Sequence, residues 1–299
     1  MSSPTLTVNA ARAPALSTLL LLCLAATWLI WGSTYLAIKF ALWSFPPFFQ
    51  MGTRFLAAGA LLMAWMRWRG AAWPTRTQWR NALIIGTLML GGGMGNTAFA
   101  EQTIASGLVV AFIAVTPLLL VLFNAAFGIY PRRADLLAVG VGLIGVLMLT
   151  RGSGIHASPI GLAAIAAAAT CWSLGSVLSQ RGFALAPGAT GFASEMLCGG
   201  LVLLGVSAAV GESWSLPVAL GPWISWLYLV TAGSLLAFNA YMVLLARTST
   251  SIASSYTLVN PLVALLLGVT LGHETVTPWE WSSVGVVMLG VALLFASRR

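Results

Sequence analysis

The chain repeats itself at a nearly constant interval. Trp31-Gly32-Ser33 returns as Leu174-Gly175-Ser176, Pro117 returns as Pro261, and Gly140 and Gly145 return as Gly285 and Gly290. The offsets are 143, 144, 145 and 145, so the register hardly drifts over the 299 residues. All of these copies fall within long apolar runs. Two covalently joined copies of one unit are therefore expected, over residues 1–150 and 151–299.

Composition says which solvent those copies face. Hydrophobic residues make up 59% of the chain and charged residues only 7%, against roughly 25% charged in a soluble domain. Apolar stretches near the 20 residues that cross a bilayer core occur at 16–38, 46–66, 80–100, 104–127, 134–150, 158–181, 189–210, 221–246, 251–272 and 278–296. They are apolar throughout rather than at every second residue, which excludes a β-barrel. An all-α integral membrane protein of ten transmembrane helices is expected.

Each half then holds five spans. An odd number inverts the second copy, so the halves form two inverted five-helix repeats. Inverted repeats with a cavity at their interface are the pattern of secondary transporters that work by alternating access. The net charge of +8 fits the same frame. With the amino terminus in the cytoplasm, that side holds Arg12, Arg67, Arg69, Arg76, Arg80, Arg132, Arg133, Arg181, Arg247, Arg298 and Arg299. The opposite side holds Lys39 and Arg151. The bias places both termini in the cytoplasm and assigns the charge to topology rather than to a nucleic acid. Residues 16–31 run on apolar to Ala37, past the length of a signal-peptide core.

Candidate site residues are those whose chemistry is out of place in hydrocarbon. Trp28, Trp31 and Tyr35 share one face of the first helix at i, i+3 and i+7. Trp172 and Ser176 share a face of the sixth, with Ser179. These faces either line a cavity, where they could stack on a substrate, or pack helices. Trp43, Trp68, Trp73, Trp79, Trp214, Trp223, Trp279 and Trp281 suit an interfacial belt. Asn96, Asn239, Tyr256 and Asn260 are polar groups inside apolar segments. They either meet substrate in the cavity or make interhelical hydrogen bonds, worth ~0.6 kcal/mol each. Asn124 lies nearer a helix end.

Pro117 and Pro261 each delete a helix hydrogen bond, and their equivalent places suggest paired hinges. Arg54 lies eight residues into its segment, where a charge costs ~2.5–3.5 kcal/mol and must be paired or wet. It is read as structural in the first instance, with a substrate carboxylate as the alternative. Its repeat counterpart is Glu195, which is near enough to a helix end to snorkel. Lys39 and Glu101 are expected near the outer surface, where they could pair as a gate or as a plain ion pair.

Several other classes are excluded. Gly140-Val-Gly142-Leu-Ile-Gly145 spells a dinucleotide fingerprint but lies inside a membrane segment, where small residues serve close packing. Gly91 with Gly95 and Gly268 with Gly272 read likewise. Lys39 is the chain's sole lysine, so no Walker motif exists and ATP-driven pumping is not expected. Cys23, Cys171 and Cys198 lie apart in apolar segments, and His156 and His273 lie in loops. No catalytic residue, metal or cofactor is expected, and the chain is not expected to be an enzyme.

In this order the motifs resemble the drug/metabolite transporter superfamily, in its ten-helix EamA-type branch. The resemblance rests on Trp31-Gly32-Ser33-Thr34-Tyr35, Arg54, and Ala105-Ser106 leading to Pro117. In the second half it rests on Ala169 to Arg181, Ser249 to Pro261, Gly272-His273-Glu274, Gly285 and Gly290. It spans nearly the whole chain. It implies export of amino acids and other small metabolites or drugs across a bacterial inner membrane, and the pattern looks most like the aromatic amino acid exporters. The family usually repeats a Gly-Glu pair after the fourth helix. Here Ile129-Tyr130 stand at that place with no acid, so Glu274 lacks a symmetric partner.

The expected partners are a small-molecule substrate and the lipid bilayer, with no nucleic acid and a monomer as the working unit. No acid is visible at mid-membrane with a clear partner, so a facilitator or weakly coupled carrier is expected. A multidrug or nucleotide-sugar carrier is the alternative within transport; a phosphate-bearing substrate calls for several inward cations, and Arg54 stands alone. A membrane scaffold is the alternative outside transport.

Overall fold

The computed structural model describes residues 18–151, 158–213, 219–248 and 255–297. Arg12, His156, Trp214, Ser249, Arg298, Arg299 and the start of the 251–272 segment lie outside the described residues. Within them the fold is helical, with no strand. The helices are α1 (Thr18–Ala41), α2 (Pro47–Trp68), α3 (Arg76–Ala100), α4 (Ser106–Ala125), α5 (Arg133–Arg151), α6 (Pro159–Arg181) and α7 (Ala189–Ala209). Then follow α8, which runs through Leu220–Tyr228, Leu229–Leu236 and Ala237–Arg247, α9 (Tyr256–Thr270) and α10 (Pro278–Ser297). Among the described residues, seven stretches are long and apolar enough to cross a membrane: α1, α3, α4, α6, α7, Leu220–Tyr241 of α8 and Pro278–Ala296 of α10.

Local sequence sets the helix boundaries. Pro47 and Pro159 occupy first turns, where the missing N–H costs nothing. Thr75 opens α3 with a reciprocal capping box to Gln78. Ser158 accepts from Gly161 N at 3.0 Å to open α6.

Two helices depart from the α form. Thr87–Gly95 in α3 and Leu229–Leu236 in α8 are π-helical. Their starts are 142 residues apart, which is again the repeat interval. The run Gly91-Gly92-Gly93-Met94-Gly95 dilutes the hydrophobic signal of α3, and its lack of side chains also lets the turn widen without a clash.

Helix pairing crosses the midpoint of the chain. α2 lies along α7, and α5 lies along α10. α1 packs on α8 and α9, while α6 packs on α3 and α4. One core cluster joins Ile38, Met51, Phe55, Leu90, Met196, Leu203 and Leu229 of α1, α2, α3, α7 and α8. A second joins Leu108, Val109 and Phe112 of α4 to Ile165, Leu265 and Val287. The halves therefore share their cores and form one unit.

The glycine motif behaves as a packing motif. A Cβ on Gly145 would stand 2.6 Å from Val287 N, and one on Gly290 would stand 2.5 Å from Gly142 N. α5 and α10 approach backbone to backbone at both repeat-equivalent glycines. Replacing Gly290 by Leu should lower stability by ~1–3 kcal/mol through overpacking. Thermal unfolding in detergent checks this, against Gly285→Leu, whose Cβ meets nothing within 4 Å.

Candidate functional site

The aromatic face of α1 meets α8 and α9 rather than α6. Trp31 Nε1 donates to Gly233 O at 3.1 Å, a carbonyl in the π-helical turn of α8. Its ring packs edge-on against Tyr256 at 4.8 Å and tilted against Tyr241 at 5.3 Å. Tyr241 and Tyr256 meet edge-on at 5.7 Å. One turn earlier, Trp28 Nε1 donates to Ser255 Oγ at 3.0 Å. Asn260, with its amide turned to donate, reaches Trp28 O at 3.1 Å and Tyr256 O at 3.2 Å. Gly32 permits this approach, because a Cβ there would stand 2.7 Å from Val263. Four expected site residues, Trp28, Trp31, Tyr256 and Asn260, thus converge on one cluster joining α1 to α8 and α9.

The other expected residues fall elsewhere. Trp172 of α6 packs on the π-helical turn of α3, where a Cβ on Gly93 would be 3.1 Å from its ring. Ser176 Oγ donates to Trp172 O at 2.7 Å. Asn96 Nδ2 donates to Gly92 O at 2.8 Å, and Asn239 Nδ2 donates to Leu235 O at 2.6 Å. These two asparagines are 143 residues apart and make the same backward bond, Asn96 directly after the first π-helical segment and Asn239 three residues after the second. Asn96 is half-buried, whereas Asn239 is exposed. Tyr35 lies next to the second core cluster, between Tyr256 and the charged groups Arg54 and Glu101.

The hinge prolines differ in setting. Pro117 has no N–H for the carbonyl four residues back, and α4 breaks there: regular helix stops at Ile113 and resumes at Thr116. Pro261 sits inside the continuous helix Tyr256–Thr270.

Arg54 is buried, and its partner is not a carboxylate. Its Nε donates to Ser234 Oγ at 3.0 Å, Nη1 reaches Met51 Sδ at 3.7 Å, and the guanidinium lies 5.0 Å from the Phe55 ring. Ser234 donates in turn to Leu229 O. Arg54 therefore locks α2 onto the same π-helical turn that accepts from Trp31.

The six acids divide into two groups. Four answer helix N-termini, where backbone N–H groups point outward unpaired. Asp135 accepts from Arg132 N, and Glu280 accepts from Thr277 N. Glu212 accepts from Phe48 N and Phe49 N at the start of α2, at 3.1 and 2.8 Å. Glu274 accepts from Ser106 N and Ser106 Oγ at 2.8 and 2.9 Å and from Gly107 N at 3.3 Å, at the start of α4. The remaining two, Glu101 and Glu195, are buried, at 2% and 3% exposure. Among the described residues, both oxygens of Glu101 and Oε1 of Glu195 have no hydrogen-bond partner. Glu195 does not snorkel: it faces inward from α7, whose backbone at this point lies against Gly86.

Lys39 corrects the expected pairing. It bonds Glu274 Oε1 at 2.8 Å rather than Glu101. Glu274 is the better partner because it is already fixed by α4's first N–H groups, so Lys39 completes a three-way knot of α1, α4 and the segment before α10. Sequence reasoning gave Glu274 no role. The available signal was that the sole lysine sits at the end of α1, on the same side of the membrane as the loop carrying Glu274. Tyr241, Ser255 and Gly233 were also missed. A carbonyl acceptor leaves no side-chain signature, and Ser255 looks like ordinary loop sequence. Two grooves of about 390 and 370 Å³ lie outside the aromatic cluster, one lined by Asn124, Tyr130 and Asp135, the other by Phe45, Phe49, Trp223 and Trp226.

Comparison with known proteins bears on this arrangement. The EamA-like transporter family matches residues 16–151 and 159–296, once in each half. The uncharacterized inner membrane transporter YedA of Escherichia coli K12 is 39% identical over 272 residues, covering 91% of this chain and 89% of that protein. Protein PecM of Dickeya dadantii is 28% identical over 90% of this chain and 87% of its own length. A probable amino-acid metabolite efflux pump of Salmonella typhimurium LT2 is 23% identical over 88% and 90%. A protein of known crystal structure has the same fold, at a TM-score of 0.66 and 23% identity, over 95% of this chain and all of the other.

The Lys39–Glu274 knot should make stability depend on pH with a definite sign. Burial pushes the Glu274 carboxyl up, but the Lys39 ammonium and the N–H groups of Ser106 and Gly107 outweigh it and hold the group below its ordinary value. A depressed carboxyl contributes in full above its unfolded value, ~4.3, and loses that contribution as pH falls through its folded value. Glu274→Gln should lower stability by ~1–3 kcal/mol at pH 7. The gap from the parent should close as the pH of detergent melts is taken below 4.

Proposed function

This chain belongs to the EamA-like transporter family, and we propose that it exports amino acids, aromatic and other neutral ones foremost, with related small metabolites across the inner membrane. The observation that carries the reading is the aromatic and hydroxyl cluster of Trp31, Tyr241 and Tyr256, beside Asn260, where α1 of one half meets α8 and α9 of the other. Aromatic faces offer stacking surface, and the hydroxyl and amide groups offer hydrogen bonds. A buried polar group that can exchange a protein partner for a substrate partner is the expected furniture of a membrane binding site.

The pairing of elements supports alternating access. α2 with α7 and α5 with α10 are repeat-equivalent helices in contact, as two inverted five-helix copies about an axis in the membrane plane require. With both termini cytoplasmic, Lys39, Glu101 and Glu274 lie at the outer end, and Tyr256 opens α9 at the inner end. Rocking one half against the other around Trp31 would open the cluster to each side in turn. Pro117, where α4 already breaks, and Pro261 are the hinges. Arg54 works beside the cluster by fixing the π-helical turn that holds Trp31. The likeness to a probable amino-acid metabolite efflux pump supports the substrate class.

Efflux from proteoliposomes tests the reading. Purified protein should move at least one of tryptophan, phenylalanine, tyrosine, methionine and threonine down its gradient. Trp31→Ala should weaken the apparent affinity about tenfold, which corresponds to ~1.4 kcal/mol, and Arg54→Lys should lower transport by loosening the turn. If none of the five amino acids moved, the substrate class would be wrong.

A further inference from the structure

Glu101 lacks the structural task that four of the other five acids share. Glu212, Glu274, Glu280 and Asp135 each answer backbone N–H groups at a helix start. Glu101 stands at the C-terminal end of α3, where the helix presents carbonyls and disfavours a negative charge. It is 2% exposed, and neither oxygen has a hydrogen-bond partner. The groups that face it are Lys39 and Tyr35 from α1, Arg54 from α2 and Glu274 from the segment before α10. α4 carries no charged residue, and α6 carries none before Arg181. Both nearby cations are committed elsewhere, Lys39 to Glu274 and Arg54 to Ser234 and Met51. An ionised carboxylate in that position would be desolvated without compensation, whereas a protonated one is tolerable.

We propose that Glu101 is a proton-binding site whose occupancy is tied to closure of the outer end, so that a proton enters as substrate leaves. This rests on the transport reading and departs from the facilitator or weakly coupled carrier expected from sequence, which rested on no acid being visible at mid-membrane with a clear partner. With the knot of Lys39, Glu274 and Ser106 closed, Glu101 carries one proton on a carboxylate oxygen and is neutral. When the knot opens, water and the freed Lys39 ammonium reach the carboxylate, which then holds its charge. The proton is taken from the outer solution before the outer end closes, and it leaves the same oxygen toward the cytoplasm only once the inner side opens and water from that side solvates the carboxylate, the knot staying closed. No bond other than O–H is made or broken, and one positive charge moves inward per cycle.

The sign separates Glu101 from Glu274. Protonating Glu101 favours the closed outer end, whereas protonating Glu274 would release Lys39 and open it. Spin labels at Gln102→Cys and Leu271→Cys, in a background lacking Cys23, Cys171 and Cys198, would report the outer-end distance in liposomes without any substrate. The ratio of closed to open should rise about tenfold per pH unit as pH falls through the titration, the slope of one linked proton. Glu101→Gln should stay closed at every pH, and Glu101→Asp should restore the titration. An outer end that ignores pH, that opens on acidification, or that titrates unchanged in Glu101→Gln would overturn the proposal. If amino acids failed to move while the titration behaved as expected, the substrate reading would fall and the proton site would stand.

Discussion

Polar groups inside a bilayer have no water to fall back on, and the structure is organised by how each of them is answered. Trp31 donates its indole N–H to the Gly233 carbonyl in a π-helical turn, and Arg54 locks on through Ser234 of the same turn. Glu274 gathers the open N–H groups of α4 and the ammonium of Lys39 into one joint. These bonds tie elements distant in sequence, so they fix which helices neighbour one another. The apolar cores between them supply contact area but little choice of partner, since lipid tails are as apolar as leucine.

The π-helical turns show how a repeat can serve two ends. Both copies widen at the same place and are followed within three residues by an asparagine bonded backward. In α3 the widened turn is built of glycines and receives Trp172 and Cys171 as packing partners. In α8 it receives Trp31 and Arg54. Widened turns expose backbone carbonyls and recur at functional sites. One copy of this shared device packs helices, and the other organises the aromatic cluster.

Much of the fold was legible because hydrophobic run length is a coarse, robust signal. The segment read at 46–66 is the helix Pro47–Trp68, and that read at 158–181 is Pro159–Arg181. The packing role of the Gly140-to-Gly145 run was legible because the run sits inside an apolar segment. The aromatic face of α1 was legible from spacing alone, but its partners were not. Hydrophobic pattern does not distinguish an α turn from a π turn, so the carbonyls that accept from Trp31 and from Ser234 left no trace. Glu101 and Glu274 looked alike in sequence, two acids near one membrane surface. What separates them is that one lies against a helix start and the other at a helix end, a difference that appears only when the chain is folded.

Substrate binding in the aromatic cluster is the point on which the transport mechanism depends. Thermal unfolding of the purified protein in detergent, with and without millimolar aromatic amino acids, measures this without assembling a transport assay. Aromatic amino acids should raise the midpoint, as a ligand bound only by the folded state must, and Tyr256→Ala should abolish the rise while a glutamate or arginine ligand leaves the parent unmoved. A midpoint indifferent to every aromatic amino acid, or a rise that survives loss of Tyr256, would contradict it.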